Sequence, residues 1–318
     1  MTRFSRRITV LLLVAALFET MDCAAQTESK ATKTLILGVV FQGAPQPVEN
    51  HFRPLVEYVA HKFSRTDETK GVIVVAPSAG QMIKLLEEKR VDFYMESPYP
   101  TYLINRLGSA RLLLRAWKGG MPEYRSLIFT SKQSDVTDPK ALLGKIIAFE
   151  DPGSTSGYFL PKLFLLKKGF SMSKQASLES KVSARDIACI FANTSNEVVN
   201  LVLRQKVSAG AFSTDDYVGL ETTNKPLISI LAETESVPRY LVSVRKGLPE
   251  PVTKRLTSIL LAMNQDPEGQ QILRQTDNTT KYDSLSGGEE MVRQSSWNCI
   301  APVRKLRHQE CTDRAMLQ

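Results

Sequence analysis

Strand and helix patterns alternate through the first hundred residues, and this alternation limits the fold more than any other feature of the chain. Apolar, strand-like runs occupy residues 34–40, 71–76 and 91–95, and residues at helical spacing occupy 48–63 and 78–89 between them. This βαβαβ order is typical of a mostly parallel sheet covered by helices. Because ligands of such sheets bind at the carboxyl ends of strands, the polar turns after the first and third strands are candidate parts of a site.

A second α/β unit follows the first along the chain. Strand patterns at 145–150, 187–191 and 207–212 enclose helix patterns at 156–168 and 196–205. Further strands are predicted at 124–130, 227–231 and 240–244, and further helices at 251–263 and 267–275. The chain has 318 residues, 42% of them hydrophobic, which is ample for the cores of two such units. Two successive α/β units predict two lobes with a ligand between them.

A hydroxyl-rich turn, Asp-Pro-Gly-Ser-Thr-Ser-Gly at residues 151–157, separates the first strand and helix of the second unit. Free N–H groups and the helix dipole at a helix start attract anions, and serine and threonine hydroxyls add donors. The residue pattern leaves two interpretations open. The turn is either an anion site or a helix start that is simply capped by Ser154 or Thr155.

The N-terminal residues have the pattern of a secretory signal. Three arginines precede an apolar stretch at 8–18 that is too short to cross a bilayer, and small residues follow at 23–25. We therefore predict a signal peptide at residues 1–25. A lipoprotein anchor at Cys23 is the alternative, although the residues just before it are not small. No later apolar run is long enough to predict a membrane helix.

The charge of the chain is basic, with a formal net charge of +8. Such a balance can attract anions, membranes or nucleic acid. The sequence lacks runs of lysine and arginine interleaved with aromatic residues, so we predict no nucleic-acid partner. The basic residues are spread along the chain, with some concentration in a tail at residues 291–318.

Cysteines and histidines show no spacing typical of a metal site, and we predict neither a metal nor a cofactor. If Cys23 leaves with the signal, three cysteines remain, so at least one is free or pairs with another molecule. Cys299 and Cys311 lie close in sequence, and an oxidising compartment would permit a bridge between them. Cys189 lies in an apolar segment typical of a buried thiol.

Residues 151–157 resemble the anion-binding turn of the phosphonate-binding proteins of ABC importers, which have the type 2 periplasmic-binding-protein fold. The likeness extends over about residues 34–275. Residues 37–40 with 52–55 resemble the family's opening strand and helix, and 91–98 resemble its third strand. Residues 124–126 and 238–246 resemble its two crossovers, and 198–211 resemble a helix with the strand after it.

The resemblance implies an α/β fold of two lobes, each a mostly parallel sheet covered by helices, joined by two crossover strands. Lobe 1 would comprise residues 34–125 plus 235–290, and lobe 2 residues 126–234. It further implies a monomeric solute-binding protein of the periplasm. Such a protein captures a phosphonate-, phosphite- or phosphate-like oxyanion and delivers it to an ABC permease in the inner membrane.

The same resemblance carries ligand contacts to this chain. In the family, hydroxyls and backbone amides of the turn hold the phosphonate oxygens, which implies this role for Ser154, Thr155 and Ser156. The other predicted ligand contacts are Glu96, Ser97, Tyr99, Asp215, Arg239 and Tyr240.

Two departures from the family pattern leave the nature of the ligand open. Asp215 aligns with an acid that helps to hold an aminoalkyl group in some members, but Arg239-Tyr240 stand where those members have a second acid. Glu96 and Ser97 belong to a turn that is of Phe-Gly-Pro type in many members. The Glu96 carboxylate would repel a dianion unless it is protonated or turned away, or else it accepts a hydrogen from a ligand oxygen.

Each contact outside the hydroxyl-rich turn has a structural alternative. Glu96 and Ser97 suit a helix start, and Asp215 suits a solvated loop. Arg239 suits a salt bridge at the crossover, and the tyrosines suit a core.

Two other functional classes compete with transport. A free-standing sensor for a membrane signalling partner would use the same two-lobed body. Some relatives of this fold have become enzymes. We predict no enzyme, because no Ser/His/Asp or Cys/His arrangement is visible in the sequence.

Overall fold

A computed structural model describes residues 33–63, 69–108, 110–175, 177–179, 181–285 and 287. The predicted signal peptide, the basic tail, Cys299 and Cys311 lie outside these residues. Within them, no helix has the length and apolar character needed to cross a membrane.

Strands and helices alternate through most of the described chain. The strands are β1 (Lys33–Val40), β2 (Thr69–Ala76), β3 (Phe93–Glu96), β4 (Ala110–Lys118), β5 (Glu123–Tyr124), β6 (Ser126–Ser131), β7 (Ile146–Phe149), β8 (Ser171–Lys174), β9 (Asp186–Phe191), β10 (Ala209–Ser213), β11 (Ile228–Glu233), β12 (Val237–Pro238), β13 (Leu241–Arg245) and β14 (Thr279–Asp283). The helices are α1 (Pro45–Phe63), α2 (Ala79–Glu87), α3 (Pro98–Leu107), α4 (Leu160–Lys167), α5 (Ser195–Leu203), α6 (Thr214–Gly219), α7 (Glu250–Ala262) and α8 (Pro267–Gln275). A π-helical turn, Thr155–Phe159, leads directly into α4.

Lobe 1 is built on a six-stranded sheet in the order β14-β4-β13-β3-β1-β2. The predicted parallel arrangement holds for β1, β2 and β3. The other three strands add antiparallel pairs, because the chain returns from lobe 2 through β13, which runs opposite to β3 and β4. Helix α1 packs on this sheet through an apolar stripe that includes Phe52, Leu55 and Val59, as its helical spacing predicts.

Lobe 2 contains a second six-stranded sheet in the order β11-β6-β10-β7-β9-β8. Strands β10, β7, β9 and β8 are parallel neighbours, and β6 pairs antiparallel with both β10 and β11. Every residue of β6 and β10 is buried, which explains why these strands are continuous apolar or small-residue runs.

Two short crossover strands connect the lobes. β5 lies between β4 of lobe 1 and β6 of lobe 2, and β12 lies on the return path between β11 and β13. They pair antiparallel with each other, with Val237 opposite Tyr124 and Pro238 opposite Glu123. The two crossovers implied by the resemblance are therefore present.

The lobes also touch through side chains beside the crossovers. Tyr99 of α3 stacks on Phe159 at 4.0 Å between ring centroids, with an interplanar angle of 9°. Phe159, Leu160 and Leu163 of lobe 2 join a core that is otherwise formed by lobe 1, around Tyr94. An aromatic pair of this kind contributes about 0.5–1.5 kcal/mol beyond its buried area.

Several local predictions are corrected by the structure. The segment after β10, predicted as a loop, is helix α6, because Ser213 and Asp216 form a capping box at its start. Strands β4, β8 and β14 were not predicted, since charged or polar residues interrupt their apolar pattern. Cys189 is a buried free thiol, as its apolar surroundings predict.

Candidate functional site

A cleft of about 720 Å³ lies where strands of both sheets end and the crossovers pass. Lobe 1 contributes the turns that follow β1 and β3, and lobe 2 contributes the turns that follow β7, β9 and β10. The cleft is therefore at the carboxyl ends of parallel strands, where the sequence predicts it. All of the predicted contacts except Tyr99 line this cleft: Glu96, Ser97, Ser154, Thr155, Ser156, Asp215, Arg239 and Tyr240.

Ser154 caps the helical segment that begins at the hydroxyl-rich turn. Its Oγ accepts the Gly157 N–H at 2.9 Å and donates to Glu150 Oε2 at 2.8 Å. Asp151 tightens the same turn, because its Oδ1 accepts the Gly153 N–H at 2.7 Å. Ser154 therefore caps the helix start, which was one of the two interpretations of the turn. Its hydroxyl hydrogen is directed at the Glu150 carboxylate.

Glycine at position 157 is required by close packing in this turn. A Cβ there would lie 2.6 Å from both Cβ and Oε2 of Glu150. A side chain at this position would displace the carboxylate that accepts from Ser154.

The next two residues provide donors that face the cleft. The N–H groups of Thr155 and Ser156 belong to the first helical turn, where no intrahelical acceptor exists. The phenol of Tyr124, on crossover strand β5, lies beside both hydroxyls and lines the same cleft. Two backbone N–H groups and three hydroxyls thus converge beside a helix start, an arrangement suited to oxyanion oxygens.

Thr155 also connects the turn to lobe 1. Its Oγ1 accepts the backbone N–H of Tyr99 at 3.0 Å and donates to Ser97 Oγ at 3.0 Å. Ser97 in turn donates its backbone N–H to Glu96 Oε1 at 2.5 Å. Ser97 therefore bonds the lobe 2 turn through its hydroxyl and a carboxylate of lobe 1 through its backbone N–H.

Carboxylates outnumber cations around the cleft. Its charged lining residues are five acids, Glu96, Glu150, Asp151, Asp215 and Asp216, and two bases, Lys118 and Arg239. Burial raises the pKa of Glu96 to about 7, and burial likewise raises the pKa of Glu150 to about 7. The pKa of Asp151 is also raised by burial. A proton on Glu96 or Glu150 would lower the negative charge that a bound anion meets.

Arg239 and Asp215, predicted separately as ligand contacts, are partners in one ion pair. Nη2 of Arg239 donates to Oδ1 of Asp215 at 2.6 Å, and Nη1 donates to Oδ2. The guanidinium also lies 5.1 Å from the centre of the Tyr124 ring. The crossover salt bridge that the sequence left as an alternative for Arg239 is therefore present.

The tyrosines divide between the cleft and the cores. The ring of Tyr240 lines the cleft, with Lys118 Nζ 6.0 Å from its centre. The Tyr99 side chain packs on Phe159 at the contact between the lobes. Tyr158 is buried in lobe 2 between Phe149 and Phe191.

Three further residues of the site were not among the predicted contacts. Tyr124 was recognised only as part of a crossover, and Glu150 only as the end of a strand. Lys118 belongs to β4, which was not predicted. The position of Glu150 at the end of a strand could have predicted that it lies at the site. No local pattern places Tyr124 or Lys118 near the turn.

Among the described residues, no group of three or more histidine, cysteine, aspartate or glutamate side chains is arranged to hold a metal ion.

Comparisons with known proteins agree with this architecture. Residues 37–288, most of the chain, match the family model described as ABC transporter, phosphonate, periplasmic substrate-binding protein. The protein XAC2383 from Xanthomonas citri, solved with chloride ion, is 27% identical, with a TM-score of 0.80 over 86% of this chain and 99% of that chain. The same protein solved with ATP gives 27% identity and a TM-score of 0.79 over 86% and 98% of the two chains.

A more distant structure shares the fold. PhnD1 from Prochlorococcus marinus (MIT 9301), solved in complex with methylphosphonate, is 16% identical, with a TM-score of 0.64 over 86% of this chain and 99% of that chain. The described lobes, the crossovers and the match over residues 37–288 lead to one conclusion: this chain belongs to the periplasmic substrate-binding proteins of phosphonate ABC transporters.

Proposed function

We propose that this protein is the exported solute-binding component of an ABC importer, and that it captures a phosphonate-, phosphite- or phosphate-like oxyanion between its lobes. The observation that carries the proposal is that Thr155, Ser156 and Tyr124 line one cleft at a helix start, where the first N–H groups have no intrahelical acceptor. These neutral donors suit phosphorus oxyanions and require no ion pair.

The size of the cleft favours a ligand that is larger than its anionic head. A volume of about 720 Å³ lies in the range of pockets that enclose drug-sized molecules. A phosphorus oxyanion on the hydroxyl-rich turn would leave room for a substituent elsewhere in the cleft, which Phe41 and Tyr240 also line. Support for this comes from XAC2383, which was solved with ATP, a phosphate ester.

In this proposal, ligand binding favours a closed arrangement of the lobes that a membrane permease recognises. The crossovers β5 and β12 are the segments about which such a closure would turn. A ligand shifts this equilibrium only to the extent that it binds the closed arrangement better than the open one. Donors from lobe 2 and the Glu96–Ser97 turn from lobe 1 provide that difference.

A thermal-shift screen of the mature protein tests the proposal. The ligand set is phosphate, phosphite, methylphosphonate, 2-aminoethylphosphonate and ATP, with methanesulfonate and arginine as ligands of other classes. We expect at least one phosphorus oxyanion to raise the melting temperature, because a ligand that binds only the folded state stabilises it by mass action. Stabilisation by the sulfonate or by arginine alone would contradict the proposed ligand class.

A further inference from the structure

The Asp215 carboxylate lies where it would suit a positively charged group of a ligand. It lines the cleft, and its side chain is 34% exposed. Both of its oxygens, however, accept from Arg239: Oδ1 accepts from Nη2 at 2.6 Å, and Oδ2 accepts from Nη1. A bidentate pair of this kind fixes the geometry of both partners. The carboxylate therefore already has a cation, which the protein itself supplies.

Arg239 is held in this position by contacts that involve no ligand. Its backbone N–H donates to the Pro122 carbonyl at 2.9 Å, which ties it to the chain just before crossover strand β5. Its guanidinium lies 5.1 Å from the centre of the Tyr124 ring, and its side chain is only 7% exposed. The pair is therefore already formed when a ligand arrives.

The same tyrosine brings the pair close to the hydroxyl-rich turn. Tyr124 lies beside the hydroxyls of Thr155 and Ser156, and the Arg239 guanidinium lies against its ring. All of these residues and Asp215 line the one cleft. The substituent of an oxyanion on the turn therefore enters a part of the cleft whose carboxylate is already neutralised.

We propose that Arg239 determines the specificity of the cleft by occupying Asp215, so that the protein selects phosphorus oxyanions whose substituent carries no positive charge. The inference rests on the proposed function, because it specifies the ligand of the same site.

A ligand with an ammonium group has two ways to enter such a cleft, and both weaken binding. Displacing the guanidinium from Asp215 leaves Arg239 buried without its counterion. Leaving the pair intact removes the ammonium from water without giving it the Asp215 carboxylate as a partner. An uncharged substituent avoids both costs, so the difference between the two ligands becomes selectivity.

The other carboxylates of the lining differ from Asp215 because their partners are local and uncharged. Each accepts a hydrogen bond from a residue within four positions of it in the sequence: Glu96, Glu150, Asp151 and Asp216. Burial raises the pKa values of Glu96 and Glu150 to about 7, so near neutral pH each carries only part of a negative charge. Lys118, the second cation of the lining, has no salt bridge among the described residues and adds a positive charge that an ammonium would meet.

Calorimetric titration with two phosphonates of similar size measures the selectivity. Propylphosphonate carries a methyl group where 2-aminoethylphosphonate carries its ammonium. We expect wild type to bind propylphosphonate at least about tenfold more tightly, the effect of one hydrogen bond to a charged group. In Arg239→Met, which frees Asp215, the ratio of the two dissociation constants should shift at least about tenfold toward 2-aminoethylphosphonate. A general loss of stability changes both affinities alike and cancels in this ratio, as does the ionisation of the ligands.

Three further variants locate the effect. Arg239→Gln removes the charge but keeps a polar side chain, and should shift the ratio in the same direction as Arg239→Met. Arg239→Met combined with Asp215→Asn removes the freed carboxylate and should abolish the gain. Arg125→Met is the control, because Arg125 pairs with Glu233 at 2.9 Å outside the lining of the cleft and should leave the ratio as in wild type.

The failure of this inference is distinguishable from the failure of the proposed function. A wild type that prefers 2-aminoethylphosphonate, or that binds phosphate but not propylphosphonate, would overturn the inference while the proposed function stands. Equal ratios in wild type and in both Arg239 variants would do the same. A wild type that binds none of these phosphorus oxyanions would overturn both.

Discussion

Replacing Asp215 by alanine tests whether Arg239 is held in the cleft by an internal ion pair. The Arg239 side chain is 7% exposed and the Asp215 side chain is 34% exposed. Both terminal nitrogens of Arg239 bond Asp215, and its Nε has no hydrogen-bond partner among the described residues. Asp215→Ala therefore leaves a buried guanidinium without its counterion.

Breaking one side of a buried ion pair costs about 3–5 kcal/mol. Because water reaches one third of the Asp215 side chain, we expect the lower end of this range, about 3 kcal/mol. Urea denaturation followed by circular dichroism measures the loss. The matched control is Glu233→Ala, which removes an exposed pair with Arg125 at 2.9 Å and should cost less than about 1 kcal/mol.

A double variant separates the pair from other effects of the substitution. Asp215→Ala combined with Arg239→Met removes both charges, so it should be less destabilised than Asp215→Ala alone. A loss no larger than that of the Glu233→Ala control, or a double variant no more stable than Asp215→Ala, would refute this account of the pair.

The remaining predictions concern the acids and the glycine of the turn. Glu96 and Glu150 have folded-state pKa values raised from 4.5 to about 7, so their stabilising effect is complete below about pH 4.5 and is lost as the pH rises through 7. The free energy of unfolding of the ligand-free protein should be lower at pH 8 than at pH 5 by about 2–3 kcal/mol for each acid. In Glu150→Gln this difference should be smaller by the contribution of Glu150. Gly157→Ala should destabilise the protein by about 1–3 kcal/mol and weaken oxyanion binding, because its Cβ would lie 2.6 Å from Glu150. Gly219→Ala, where a Cβ meets no atom within 4 Å, is the control, and equal melting temperatures for the two variants would contradict the packing argument.

The sequence predicts those parts of the fold that depend on local pattern. Strands β1, β2 and β3 with α1 and α2 are recognisable because their apolar residues follow strand or helix spacing over many positions. β4, with the sequence Ala-Arg-Leu-Leu-Leu-Arg-Ala-Trp-Lys, is not, because Arg115 and other charged residues interrupt its apolar pattern. Its place in the sheet comes from pairing with β13 and β14, more than one hundred residues away in sequence.

The candidate site shows the same division. Ser154, Thr155 and Ser156 lie in a motif that is visible locally, and the structure places all three on the cleft. Their roles differ for reasons that no local pattern contains. Ser154 is turned to Glu150 of its own lobe, and Thr155 is turned to Ser97 across the cleft.

The charges of the site depend even more on tertiary contacts. Arg239 and Asp215 are 24 positions apart, and each was predicted to face a ligand. Only the approach of α6 to crossover strand β12 makes them partners. The raised pKa of Glu96 likewise follows from its burial. From the sequence alone, protonation of Glu96 was only one of the ways in which the site could tolerate an anion.

Calorimetric titration of a Thr155→Ala/Ser156→Ala variant tests the central claim, that this turn holds the oxyanion, most directly. Each hydrogen bond to a charged ligand is worth about 1.5–3 kcal/mol, so losing both hydroxyls should weaken binding at least about 100-fold. Ser258→Ala, an exposed hydroxyl on α7 bonded to the Lys254 carbonyl, is the control and should bind as wild type does. We predict loss of binding in the double variant with an unchanged circular dichroism spectrum. A folded double variant that binds within about threefold of wild type would contradict the assignment of the ligand to this turn.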